Sequence, residues 1–376
     1  MKLRHFLSYF FVGGLIFSLS FSVCAEALKI SFINPGKQGE RFWDMVTATM
    51  QAAARDLDIE LTVLYAERNR IRMQQLGDSV LSETDNLPDY LVVVNEEQSA
   101  ENIVRLAEEK AIPVFLLLND FTGQQAVRMG EPGQKYKHWL GSLTPDNYTA
   151  GFRMAERIIQ AAGGKPEQPV HMLAIAGDKV TPASILRNEG MLKRVNEADD
   201  VLLDRLLYAN WNARDAEVMT ERYLQWASRN NVRLQALWAA NDPIAEGAIQ
   251  AIRKQGLKPG EDVFVAGLNW SPEGLAMVER GEMLLTDGGH FMAGAWSMVI
   301  LRDHADGVDL SAWNGRIRFP MSAIDQNNVD QFQAVFGDQN WDKVDFSYFR
   351  LSPGGESRGY LFDLKALFRS VSDKNG

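Results

Sequence analysis

The chain has 376 residues, 46% of them apolar, and its 39 Lys and Arg against 49 Asp and Glu give a formal net charge of −10. That acidic balance argues against nucleic acid or an anionic membrane surface as partner, since both call for clustered basic side chains. The length exceeds what one compact core usually holds, so two domains are expected.

Lys2, Arg4 and His5 precede an apolar run from Phe6 to Val23 that ends in small residues at Ala25 and Ala27. This is the pattern of a secretory signal peptide, residues 1–25, cleaved near Ala25. Gly13, Gly14 and four serines weigh against a membrane anchor, and Val23 stands where a lipoprotein signal would place a small residue. A periplasmic location is therefore expected. Cys24 is the only cysteine, so the mature chain relies on burial and not on disulfides. Without Lys2 and Arg4 the balance becomes 37 basic against 49 acidic residues.

Further along, short apolar runs read as strands at 28–33, 59–65, 90–94 and 114–118, then at 170–175, 202–208, 234–239 and 263–267. Between them lie stretches of helical period at 42–57, 100–110, 148–162, 185–197, 213–228 and 244–255. Such β-α alternation predicts parallel sheets covered by helices on both faces. Four units precede residue 140 and four follow it, which predicts two similar α/β halves. Residues 341–376, with Pro353-Gly354-Gly355 and an amphipathic stretch at 361–368, read as a C-terminal extension.

Ligands of open α/β sheets sit beyond the carboxyl ends of the strands, so the residues just after each strand matter most. Here those loops are polar and aromatic: Asn34-Pro35-Gly36-Lys37-Gln38-Gly39-Glu40-Arg41-Phe42-Trp43, Asn119-Asp120, Asn210-Trp211-Asn212, Asn241-Asp242 and Asn269-Trp270. Turn chemistry alone favours Asn and Asp at any one of these places. Tryptophan recurring beside the amide asks for more.

The run Trp238 to Ala248, Trp-Ala-Ala-Asn-Asp-Pro-Ile-Ala-Glu-Gly-Ala, resembles the strand-loop-helix motif of type I periplasmic sugar-binding proteins, the ribose-binding group. Val265 to Gly274 is similar to a second loop of that family, and Arg187-Asn188-Glu189-Gly190-Met191 to one of its helix starts. The Pro35-Gly36-Lys37-Gln38 loop resembles the autoinducer-2 receptor branch. The likeness implies two doubly wound parallel-sheet lobes joined by a three-strand hinge. Lobe one would hold 28–140 plus 287–316 and lobe two 141–286 plus 317–340, with crossings near 140, 286 and 318.

The same resemblance implies a ligand set. Gln38, Glu40, Phe42, Trp43, Asn119 and Asp120 would come from lobe one, and Arg187, Trp211, Asn241, Asp242, Asn269 and Trp270 from lobe two. Glu40 stands where sugar binders often have an amide, Asp120 where ribose binders have arginine, Asn269 where aspartate is usual and Trp270 where glycine is common. A sugar offers apolar C–H faces to flat rings and a rim of hydroxyls to amides, carboxylates and arginine, which suits these residue types. Each also has a plainer role open to it. Phe42 fits an ordinary helix-face core, Arg187 a surface pairing, Asp242 a helix cap and Glu40 a solvent-facing side chain. His290, alone between glycines and an apolar helix, fits a structural role better than a ligand contact.

The sequence carries no Gly-x-Ser-x-Gly elbow, no phosphate loop, and histidines too scattered for metal spacing, so neither catalysis, cofactor nor metal is expected. Carboxylates are plentiful, but no motif selects a pair for glycoside hydrolysis. The expected function is binding of a small polar ligand, a neutral or amino monosaccharide, by a monomer. The partner would be an ABC permease in transport or a membrane sensor kinase, cyclase or chemoreceptor in signalling, and the chain alone leaves both open. Three carboxylates at Glu40, Asp120 and Asp242 against Arg187 would disfavour anionic ligands.

Overall fold

The computed structural model describes residues 27–355 and 358–374; the expected signal peptide lies outside the described residues. Among the described residues twelve strands form two sheets, each of six strands. In chain order β1 (Leu28–Asn34), β2 (Ile59–Tyr65), β3 (Tyr90–Val93), β4 (Val114–Leu117) and β5 (Trp139–Pro145) belong to the first. The second opens with β6 (Val170–Ala176), β7 (Val201–Tyr208), β8 (Leu234–Ala239), β9 (Phe264–Leu268) and β10 (Leu285–Gly288). Next come β11 (Arg316–Phe319), which returns to the first sheet, and β12 (Ser322–Asp325), which returns to the second.

The spatial orders are β11-β5-β4-β3-β1-β2 and β12-β10-β9-β8-β6-β7. All pairs are parallel except β10 with β12. The central strands are apolar almost without interruption, with β3 and β4 buried along their whole length, because helices cover both faces. Two doubly wound lobes result, as the sequence pattern predicts.

The boundaries differ from the expected ones. β5 runs through residue 140 and pairs with β4 and β11 in the first sheet, so the chain leaves lobe one after Pro145. Likewise β10 ends at Gly288 in lobe two and β11 at Phe319 in lobe one, which shifts the other crossings past 286 and 318. β5 hides in the sequence because Gly141 and Ser142 interrupt its apolar run. Gly141 has φ +142°, and a Cβ there would lie 1.7 Å from the carbonyl oxygen of Gly315, so the β5–β11 contact admits only glycine.

The C-terminal extension is no loose tail. Helix Val329–Phe336 packs on lobe two, and Trp341–Lys343 and Phe346–Phe349 lie on helices Arg41–Asp56 and Ala293–Ala305 of lobe one. Phe346 N–H donates to Asp56 at 2.7 Å. The Arg350 side chain and the Leu351 amide both donate to the fully buried Asp303 at 2.8 Å. Phe362 stacks on Trp296 with centroids 4.9 Å apart. Residues 337–340 are thus a further passage between the lobes, beside the three hinge crossings.

Candidate functional site

The loops after the strands of both sheets face one another across a cavity of 440 Å³. On the lobe-one side, the loop after β1 is shaped by Asn34, whose buried Oδ1 accepts from Gly36 N–H at 2.9 Å. The turn delivers Glu40 to the N-cap of helix Arg41–Asp56 and puts Phe42 and Trp43 in its first turn. Both rings reach the cavity and meet edge to face at 5.1 Å.

Beside them runs an ionic chain. Arg68 donates to both oxygens of Glu40, through Nε at 3.0 Å and through Nη2, and to Glu96 at 2.8 Å. Asn119 Nδ2 donates to the other Glu96 oxygen at 3.2 Å. Burial pushes the Glu96 carboxyl up to about 7, against the pull of Arg68 and helped by the nearby charges of Asp178, Glu97 and Glu40. For Arg68, burial works against the charge, yet bonds to Glu40 and the charge of Glu96 raise its pKa.

On the lobe-two side, Arg187 projects from helix Pro182–Val195 and is almost fully buried. Its Nε donates to Asn147 and its Nη1 to the Ala240 carbonyl, both at 2.8 Å. Desolvation lowers it to about 10 while Asp287 and Asp242 oppose that fall, so it stays cationic. Trp211 follows β7 and Asn241 follows β8. The latter caps helix Asp242–Lys254 by accepting from Ile244 N–H at 2.9 Å, and its Nδ2 donates to the Trp211 carbonyl at 3.4 Å. Asn269 follows β9 and is buried on the same wall.

Two contacts span the mouth between lobes. Arg41 pairs with Glu273 at 2.5 Å, and Ala183 N–H donates to Asn119 Oδ1 at 3.2 Å.

Of the residues expected from sequence, Glu40, Phe42, Trp43, Asn119, Arg187, Trp211, Asn241 and Asn269 line the cavity. Gln38, Asp120, Asp242 and Trp270 do not. Gln38 is exposed on the turn before the helix. Asp120 faces the sheet edge, where it accepts from Arg316 and Ser142 at 2.9 Å. Asp242 is buried and ties its own helix start to the loop after β9 and to β10, accepting from the Ser271 amide and hydroxyl and from the Thr286 hydroxyl. Trp270 turns toward the hinge, donating to the Ser322 carbonyl at 2.9 Å and packing on Phe332.

Several lining residues were not anticipated: Arg41, Arg68, Glu96, Thr181, Glu246, Glu273 and His290. His290, read from the sequence as structural, also lines this cavity. It sits on the crossing after β10, 4% exposed, stacked on Phe42 at 4.6 Å, and its Nδ1 has no hydrogen-bond partner among the described residues. Burial and the charge of Arg187 hold its pKa well below the usual value, so it is neutral. Among the described residues no group of three or more His, Cys, Asp or Glu is placed to hold a metal.

Residues 30–309 match the family described as periplasmic binding protein domain. A solved periplasmic sugar-binding protein from Pseudomonas fluorescens shares 34% identity, covering 91% of this chain and 99% of its own, with a TM-score of 0.80. A galactofuranose-binding protein structure aligns over 83% of this chain and 99% of its own at TM-score 0.70 and 17% identity, a likeness of fold. Galactofuranose-binding protein YtfQ of Escherichia coli is 24% identical over 48% of this chain and 53% of its own length. The D-allose-binding periplasmic protein of Escherichia coli is 30% identical over 38% and 43%. The chain thus spans about half the length of these curated relatives. All are binding proteins and not enzymes, and the chain belongs to the periplasmic binding protein domain family.

Proposed function

We propose that the protein is an exported periplasmic solute-binding protein that closes its lobes on one small sugar-like ligand and, as a monomer, delivers it to an ABC permease. The observation that carries this reading is the makeup of the cavity wall. Phe42 and Trp43 stand on one lobe, Trp211 on the other, with Asn119, Arg187, Asn241 and Asn269 around them. Flat rings suit the C–H faces of a sugar, and amides with one arginine suit its hydroxyl rim. A ligand lacking those hydroxyls would leave buried polar groups unpaired, at about 1–3 kcal/mol each. Periplasmic location is supported by the family and the named relatives. Among the described residues no helix is long and apolar enough to cross a membrane.

The charges support a neutral ligand, by a route different from the one read in the sequence. Four carboxylates (Glu40, Glu96, Glu246, Glu273) and three arginines (Arg41, Arg68, Arg187) line the cavity. Arg68 is committed to Glu40 and Glu96, and Arg41 to Glu273. An anionic ligand would therefore meet only Arg187, already attracted by Asp287 and Asp242. Desolvating an anion there costs more than one shared arginine returns. Neutral sugars and polyols fit, and an amino sugar would find Glu246. A thermal-shift screen across neutral, amino and acidic sugars tests this, repeated on the best hit with Glu40→Gln. Stabilisation by a neutral or amino sugar, reduced in the variant, is the expected result. Tight binding of an acidic sugar that survives Glu40→Gln would refute the reading.

A further inference from the structure

One carboxylate outside the cavity wall joins two features on which the proposed site depends. Asp178 lies in the loop after β6. Its Oδ1 accepts from the amides of Val180 at 2.7 Å and Thr181 at 2.6 Å, forming the turn that leads into helix Pro182–Val195. Its Oδ2 accepts from the Thr181 hydroxyl and from the Trp211 indole N–H, each at 2.6 Å. Bonds to an ionised acceptor at such distances are roughly twice as strong as neutral ones.

Trp211 needs such a hold. It and Asn210 both occupy left-handed backbone, at φ 65° and 47°, a region bulky side chains adopt only when their surroundings enforce it. The indole lies against Gly177, where a Cβ would fall 2.3 Å from the ring. Arg187 Cζ stands 5.7 Å from the ring centroid. At the far end of the Asp178 turn, Ala183 N–H reaches across the cleft to Asn119.

We infer that Asp178 is a positioning residue that holds the Trp211 ring as the lobe-two stacking face and, through the same turn, sets the cross-cleft contact of Ala183; this rests on the proposed sugar site. Burial would raise its carboxyl, but the bonds from Thr181, Val180 and Trp211 hold it below the usual range. It is thus ionised at neutral pH.

The two oxygens have separate work, which makes the inference testable. Asp178→Asn keeps an acceptor for the two turn amides and places an NH₂ where Oδ2 received the indole. Trp211→Phe keeps a ring and removes the N–H. In ligand-free protein, an ¹H–¹⁵N correlation spectrum resolves indole resonances of the nine tryptophans, and the one lost in Trp211→Phe belongs to Trp211. Asp178→Asn is expected to move that resonance more than any other indole. With D-allose, myo-inositol and L-arabinose as probes, Asp178→Asn should weaken the sugars that bind by about 10-fold in the wild-type background. In the Trp211→Phe background it should change them by less than about twofold. An unmoved Trp211 resonance, or equal losses in both backgrounds, would overturn the inference. Should none of the three sugars bind the wild type, the sugar reading fails, and the indole resonance alone still decides the role of Asp178.

Discussion

Glu96→Gln should stabilise the protein above neutral pH and leave it unchanged in acid. Glu96 is enclosed at the cavity wall, accepting from Arg68 and Asn119, with Glu40, Glu97 and Asp178 close enough to oppose its charge. Its carboxyl is raised from 4.5 to about 7. The native state therefore holds this proton to higher pH than the unfolded chain. Its stabilising contribution is complete below about 4.5 and is lost as pH rises through about 7. At about 1.4 kcal/mol per pH unit, that interval caps the effect at about 3.5 kcal/mol. A glutamine mimics the protonated acid, so the variant escapes this loss. Urea unfolding of both proteins from pH 4.5 to 8.5 measures the difference. The variant should gain on the wild type steadily between pH 5 and 7 and level off above. A difference that stays flat across that range would refute the reasoning.

Trp43→Ala, emptying a site that is 3% exposed, should cost about 3–5 kcal/mol of stability and also weaken sugar binding by about 1–3 kcal/mol, measured by denaturation and calorimetry separately. Arg41→Ala should weaken binding by no more than about 1 kcal/mol, because the pair with Glu273 is half exposed, and stopped-flow fluorescence should place the loss in a faster off-rate. Asp303→Ala removes the acceptor shared by Arg350, Leu351 and Tyr360. It should destabilise by about 3 kcal/mol or more and speed limited proteolysis of the extension. Gly190→Ala places a Cβ 1.9 Å from the Tyr148 carbonyl. It should spread helices Asn147–Ala161 and Pro182–Val195, with a melting-temperature drop and weaker binding through displaced Arg187.

The core strands were legible because parallel strands covered on both faces are written as unbroken apolar runs. Residues 90–94 and 114–118 coincide to within one residue with β3 and β4, which are apolar and buried throughout. The hinge strands β5, β10, β11 and β12 were not. Each is short or broken by polar residues, as in Leu285-Thr286-Asp287-Gly288, and gains its identity from pairing partners far away in sequence. The site divides the same way. Trp211, Asn241 and Asn269 were visible because strand, loop and helix follow one another directly. Arg68 and Glu96 sit after β2 and β3 in loops whose amides, Asn69 and Asn95, have no aromatic beside them, and only the fold brings Arg68 to Glu40 and Glu96. Asp242 carries the same Asn-Asp signal as Asn241, yet its side chain is spent on Ser271 and Thr286 and does not line the cavity.

Isothermal titration of the full-length mature protein with neutral monosaccharides and polyols, beside Trp43→Ala/Trp211→Ala, tests the central claim most directly. The account predicts one saturable site for at least one neutral sugar in the wild type and a loss of about 10-fold or more in the double variant. Binding of that sugar at wild-type affinity by a folded double variant would contradict it.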